Sequence, residues 1–144
     1  MQFEIEYAAK EEHIDFQGIM DGLYYPFYLE ECRHRFIEEA MQFNMKDASA
    51  LGTNMVLAQY IIKFIRPLKK GDKFVATCSA HPDKAHKPVF HLRQTLVRDG
   101  KLVVAAYFTA TCVSTTGGRP FIPEAVANFL ADKEATEGVA MPSW

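Results

Sequence analysis

The chain has 144 residues, 49% of them apolar, which suits one domain with a sizeable core. Its 16 Lys and Arg against 18 Asp and Glu give a net charge of -2, so no basic face for nucleic acid is expected. No apolar run reaches the roughly 18–20 residues that cross a bilayer, and MQFEIEYAAKEE lacks the basic-then-apolar order of a secretory leader. A cytoplasmic protein is expected, with Cys32, Cys78 and Cys112 as buried free thiols that lack metal-type spacing.

Residues 2–8 alternate, with Phe3, Ile5 and Tyr7 on one side and Gln2, Glu4 and Glu6 on the other, which predicts a half-buried strand. HIDFQGIMDG follows as a loop with two glycine breaks. A helix is expected from Leu23 to Phe43, with Asp21 as its N-cap and Pro26 in its first turn. Leu29, Cys32, Phe36 and Ala40 form its apolar stripe, while Arg33 and His34 are expected at the surface. Residues 44–53 read as a polar connector.

Four strand-like runs come next. In MVLAQYIIKFI, Val56, Ala58, Tyr60, Ile62 and Phe64 alternate with Leu57, Gln59, Ile61 and Lys63. KFVATCSAH is the next strand, followed by the loop PDKAHKP. VFHLRQTLVR and KLVVAAYFTATCVS flank Asp99-Gly100, the signature of a two-residue type I′ hairpin turn. Pro123 opens a short helix, EAVANFLADK, and residues 133–144 read as a loose tail, with Trp144 anchored to a surface.

The order is strand, long helix, then an antiparallel meander, an α+β arrangement in one domain over residues 1–132. One helix cannot cover both faces of such a sheet. The last strand is apolar on both faces, so its second face needs a partner, and a second subunit is the natural one.

This pattern resembles the hotdog-fold thioesterases, in particular the 4-hydroxybenzoyl-CoA thioesterase family and its acyl-CoA thioesterase relatives. That family carries D-x-D-x-x-G-x-V, four residues, a Tyr, and an acid five positions later, often followed by x-A-R. Here the register gives His13, Asp15, Gly18, Met20, Tyr25, Glu30 and Arg33. IIKFIRPLKKGD also looks like the family's strand ending in a P-x-x-x-G-D turn, matched by Pro67, Gly71 and Asp72. The departures are His13 for the first Asp, Met20 for Val, and Asp21-Gly22 after it.

The resemblance implies a hotdog fold, a five-stranded antiparallel sheet wrapped around one long helix, and hydrolysis of acyl or aryl thioesters. It places the catalytic carboxylate at Asp15, as general base or nucleophile, and an oxyanion-binding backbone N–H at Gly22. Gly18, Tyr25 and Glu30 would border the substrate, with His13 as a second base or a polar loop residue. The other reading of Asp15 is a turn-capping role, and of Glu30 a solvated helix face. Lys84, His86 and Lys87 form the compact basic loop, in the position where relatives bind nucleotide phosphates; otherwise they are solvating lysines of a loop.

No metal or cofactor is expected, since HExxH, P-loop, G-x-G-x-x-G and G-x-S-x-G motifs are all absent from the sequence. The expected partner is an acyl thioester of coenzyme A or of an acyl carrier protein, together with further copies of the chain, as a dimer or a dimer of dimers by family resemblance. Alternative functions are a hotdog hydratase or dehydratase built on a His and carboxylate pair, and a non-catalytic acyl-thioester-binding protein.

Overall fold

The computed structural model describes residues 2–136. The strands are β1 (Phe3–Ala8), β2 (Thr53–Phe64), β3 (Lys73–Pro82), β4 (Phe90–Arg98) and β5 (Lys101–Ser114). They form one five-stranded antiparallel sheet in the order β1-β3-β4-β5-β2. The long helix α1 (Tyr25–Glu39) packs on one face, against β1, β3 and β4. Three shorter helices are α2 (Met45–Ala50), α3 (Glu124–Ala131) and α4 (Lys133–Thr136).

The core lies between α1 and the sheet. Leu29, Cys32 and Phe36 are buried, as the stripe spacing predicts, while Ala40 is half-buried. They meet alternate residues of the central strands, among them Ala76, Leu92, Leu96, Val104 and Ala106, all buried. The three cysteines are buried and free. Burial pushes the Cys32 thiol up to about 12 and the Cys112 thiol up to about 11, so both stay protonated.

Several expectations change. Helix α1 is shorter than residues 23–43 at both ends. Its N-cap residue is Tyr24, without a side-chain cap, so Asp21 is not the cap. Asp21 instead closes the turn before the helix, accepting Leu23 N–H on its carboxylate and Tyr24 N–H on its carbonyl, both at 2.9 Å. The connector at 44–53 contains α2, capped by the Asn44 side chain on Asp47 N–H at 3.0 Å. Residues 133–136 of the expected tail are helical; Trp144 lies outside the described residues.

A register shift between Leu57 and Gln59 breaks the simple alternation of β2. Leu57 pairs with Ala110 and Tyr60 with Phe108, so Leu57 shares the helix-side face with Tyr60, Ile62 and Phe64. The apolar character of both faces of β5 also has a different cause from the one expected. β5 lies between β4 and β2, and its Val103 and Ala105 are buried within this chain. Within the sheet, the exposed large apolar side chains are those of the edge strand β2, at Val56, Leu57, Tyr60, Ile61 and Phe64. The Asp99-Gly100 turn has positive φ at both residues, 50° and 73°, as a type I′ hairpin needs.

The other face of the sheet carries a polar cluster. His91 hydrogen-bonds Asp83 at 2.7 Å and Thr109 at 3.0 Å, and Ser79 shares a 2.8 Å bond with His81. Burial, with the Arg93 charge adding to it, pushes the His81 imidazole down from 6.5 to about 4. Above pH 6.5 this ring is neutral in both the folded and the unfolded chain. Below that pH the unfolded chain takes up the proton first, so stability falls as pH drops from about 6.5 towards about 4. Urea midpoints across that window are expected to decline for the wild type and to decline less for His81→Gln.

Candidate active site

The stretch from His13 to Tyr25 is held by its own backbone. Asp15 N–H donates to Ile19 C=O at 2.9 Å, and Gly18 N–H returns to Asp15 C=O at 3.0 Å. Gly18 closes this loop at φ +82°, a conformation that a side chain disfavours. Met20 N–H donates to Leu68 C=O at 2.7 Å, which ties the loop to the turn between β2 and β3. That turn is built by Asp72, whose carboxylate accepts Lys69 N–H at 2.7 Å.

The Asp15 carboxylate accepts Gln17 N–H through Oδ1 at 2.8 Å. This is the turn-capping geometry, and it leaves Oδ2 with no protein partner among the described residues. Gly22 lies in the turn before α1 rather than in the helix. Its neighbours Asp21 and Leu23 both spend their N–H groups, on His13 C=O and on the Asp21 carboxylate, each at 2.9 Å. The Gly22 N–H has no acceptor among the described residues, and nothing lies within 4 Å of the position a Cβ would take.

Gly22 and Tyr25 line a cavity of about 380 Å³ with Ile19, Met20 and residues 64–67. Tyr25 is buried and forms part of its wall, with its hydroxyl accepting Leu68 N–H at 3.1 Å. Burial raises its phenol pKa, and the nearby Asp15 charge pushes in the same direction. The structure therefore brings Asp15, Gly18, Gly22 and Tyr25 to one end of the seam between α1 and β2.

His13 does not join them. It is 6% exposed, stacks on Tyr24 at 4.3 Å, and bonds the Tyr28 hydroxyl through Nδ1 at 2.7 Å. That hydroxyl also accepts Lys10 N–H at 3.0 Å. His13 is a packed residue under the loop, neither a polar loop side chain nor a cavity wall.

Lys84, His86 and Lys87 are exposed in a loop folded around Asp83, whose carboxylate accepts the N–H groups of Ala85 and Lys87 at 3.1 Å. This loop joins β3 to β4 where Pro82 pairs with Phe90, whereas the Asp15 end of the seam lies beside Leu96 and Val104. Six residues of β4 separate the two ends, roughly 20 Å, so one chain does not place the basic loop at Asp15.

Glu30 is exposed, 3.9 Å from His34 Nε2, and edges a second cavity of about 170 Å³ in the same seam. Arg33 lines that cavity too and corrects the surface expectation, being 5% exposed. Its Nη1 donates to Gln94 Oε1 at 3.2 Å, and its guanidinium lies 4.2 Å from the Phe108 ring centroid. Gln94 is fully buried and anchored by donating to Leu29 C=O at 2.9 Å. Burial lowers the Arg33 pKa, with nearby thiols and Glu30 opposing; an arginine stays charged even so. Its place was readable in the spacing: Arg33 is i+4 from Leu29 and i−3 from Phe36, on the buried stripe.

Comparison with known proteins matches residues 10–130 to the thioesterase-like superfamily. The chain belongs to that family. Over 72 residues it is 29% identical to the Arabidopsis thaliana chloroplastic acyl-acyl carrier protein thioesterase ATL3, covering 50% of this chain and 37% of that relative. The chain thus spans well under half the length of the curated relative it matches. Among solved structures, the Staphylococcus aureus protein SAV2348, solved in complex with CoA, has a TM-score of 0.85 at 18% identity, covering 99% of this chain and 90% of that one. Slr0204, a 1,4-dihydroxy-2-naphthoyl-CoA thioesterase from Synechocystis, has a TM-score of 0.79 at 14% identity, covering 93% and 98%. These likenesses show the hotdog fold that the family's sequence pattern implies.

The packing under the family's loop is open to a direct test. Tyr28→Phe removes the hydroxyl shared by His13 and Lys10 N–H while keeping the ring. Equilibrium denaturation is expected to show a loss of about 1–3 kcal/mol, the cost of leaving buried polar groups unpaired.

Proposed function

We propose that this thioesterase-like protein hydrolyses acyl thioesters, with coenzyme A esters as the substrate class and acyl-carrier-protein esters as the variant. What carries the reading is an open carboxylate oxygen on Asp15, whose charge reaches Tyr25, and the unengaged N–H of Gly22, which with Tyr25 lines an apolar cavity.

In this reading the thioester carbonyl lies at the Gly22 turn with its acyl chain in the seam. Asp15 takes a proton from water as the water oxygen attacks the carbonyl carbon. The Gly22 N–H holds the developing oxyanion, and the N-terminal end of the α1 dipole adds positive potential. The C–S bond then breaks, and the leaving thiolate takes up the proton. A hydratase or dehydratase needs a histidine facing the acyl chain, and His13 is packed against Tyr24 and Tyr28 instead.

We also propose that a second copy pairs along β2. A 12-residue apolar edge strand offers open backbone groups for such pairing. Antiparallel pairing about a two-fold axis would lay the 84–87 loop end of one copy toward the Asp15 end of the other, which gives Lys84, His86 and Lys87 a route to the nucleotide phosphates of coenzyme A. Light scattering is expected to report at least a dimer for the wild type. Ile61→Lys, a charge on the exposed β2 surface, is expected to shift the mass toward the monomer.

The catalytic reading is tested by thiol release from a panel of acyl-CoA esters. Asp15→Asn is expected to lower kcat/KM by about 10²-fold or more, within the range of general-base contributions. Gly22→Pro, which deletes the N–H, is expected to cost about 10²–10³-fold in kcat. Gly22→Ala keeps the N–H and meets open space, so it is expected to cost far less. Full activity in Asp15→Asn would exclude the mechanism.

A further inference from the structure

Resting on the thioesterase reading, we propose that Arg33 is a specificity residue, and that the preferred acyl group carries a carboxylate at its far end. The substrate class is then the half-thioester of a medium-chain dicarboxylic acid.

The first observation is an unspent buried cation. A guanidinium has five N–H donors, and Arg33 uses one, on Gln94. No carboxylate among the described residues lies within ion-pair distance; Glu30 leans instead toward His34. The other Arg33 nitrogens are not sealed in protein either: the one fully buried side-chain polar atom without a partner among the described residues is the Tyr7 hydroxyl. Together with the Arg33 lining of the 170 Å³ cavity, this leaves donors facing open space.

The second observation is alignment. The Gly22 cavity and the Arg33 cavity lie in one seam, with α1 on one side and β2 on the other. The wall at the first is Phe64 and at the second Leu57, with Tyr60 between them on the same face of β2. Arg33 is eight residues after Tyr25, about 12 Å along the helix axis, the reach of an acyl chain of about eight to ten carbons. Helical side chains tilt back toward the N-terminus, so Arg33 leans toward the Gly22 end. An extended chain would therefore run over apolar wall and end at a charge that lacks its counter-ion. An unsubstituted chain would end with a methyl group against a guanidinium and give it nothing to bind.

The test compares matched pairs on the intact protein: suberoyl-CoA against octanoyl-CoA, and sebacoyl-CoA against decanoyl-CoA, with the same acyl groups on holo acyl carrier protein. The wild type is expected to favour the diacid esters by about 10- to 100-fold in kcat/KM, the scale of a hydrogen bond to a charged group. In Arg33→Met the ratio is expected to fall toward one, and Arg33→Lys is expected to retain part of it. Equal or faster hydrolysis of the unsubstituted esters by the wild type overturns the assignment whether or not any variant folds. So does an unchanged ratio in folded Arg33→Met. Failure to hydrolyse any ester overturns the thioesterase reading itself, and this inference with it.

Discussion

A single helix cannot cover five strands, and the rest of this structure follows from where that cover stops. α1 packs over β1, β3 and β4, where the helix-side residues are buried. It touches β2 at one end, where the Tyr25 ring lies 5.4 Å from that of Phe64, without covering the strand. The helix-side residues Leu57, Tyr60 and Phe64 are consequently 42%, 54% and 55% exposed, and the seam between helix and edge strand stays open. Both cavities lie in that seam. The same incomplete cover thus leaves room for an apolar ligand and an apolar edge able to receive another chain.

The proposed catalytic groups depend on this frame through local hydrogen bonds rather than through the core. Asp15 is fixed by three contacts of its own loop, two through its backbone and one through its carboxylate. Gly22 is left with a free N–H because Asp21 absorbs the two N–H groups that follow it. A turn-capping carboxylate and a reactive one are therefore not exclusive roles for Asp15. One oxygen sets the geometry while the other stays available. Asp21, whose Oδ1 and carbonyl serve as turn acceptors, is the structural member of the pair of aspartates.

Much of this was legible in the sequence, because elements dictated by periodicity are local. The alternation in β1, the Asp99-Gly100 turn and the Leu29-Cys32-Phe36 stripe all fold as their spacing implies. What spacing hides is competition among partners. Asp21 looks like a helix cap, yet the carboxylate finds Leu23 N–H before the helix begins. β2 looks strictly alternating, yet an irregularity at residues 57–59 moves Leu57 onto the helix side. The 84–87 loop resembles a phosphate site in sequence, but strand pairing sends it to the far end of the sheet. His13 stands where the family has an aspartate, and its stackable aromatic ring suits a packed position that a carboxylate would not.

Arg33 shows why a buried charge can survive in such a core. Removing a guanidinium from water is costly, and a core built for stability alone would place an apolar residue at this point of the helical stripe. The partial compensation is specific: one hydrogen bond from a Gln94 that is itself anchored, and the face of Phe108. Those contacts hold the head group in place without neutralising it. Glu30 lines the same cavity, but its carboxylate lies 3.9 Å from His34 Nε2 and outside ion-pair distance of Arg33, so it does not consume the charge. Leaving the charge held but unpaired is what a site needs if its counter-ion arrives on the substrate.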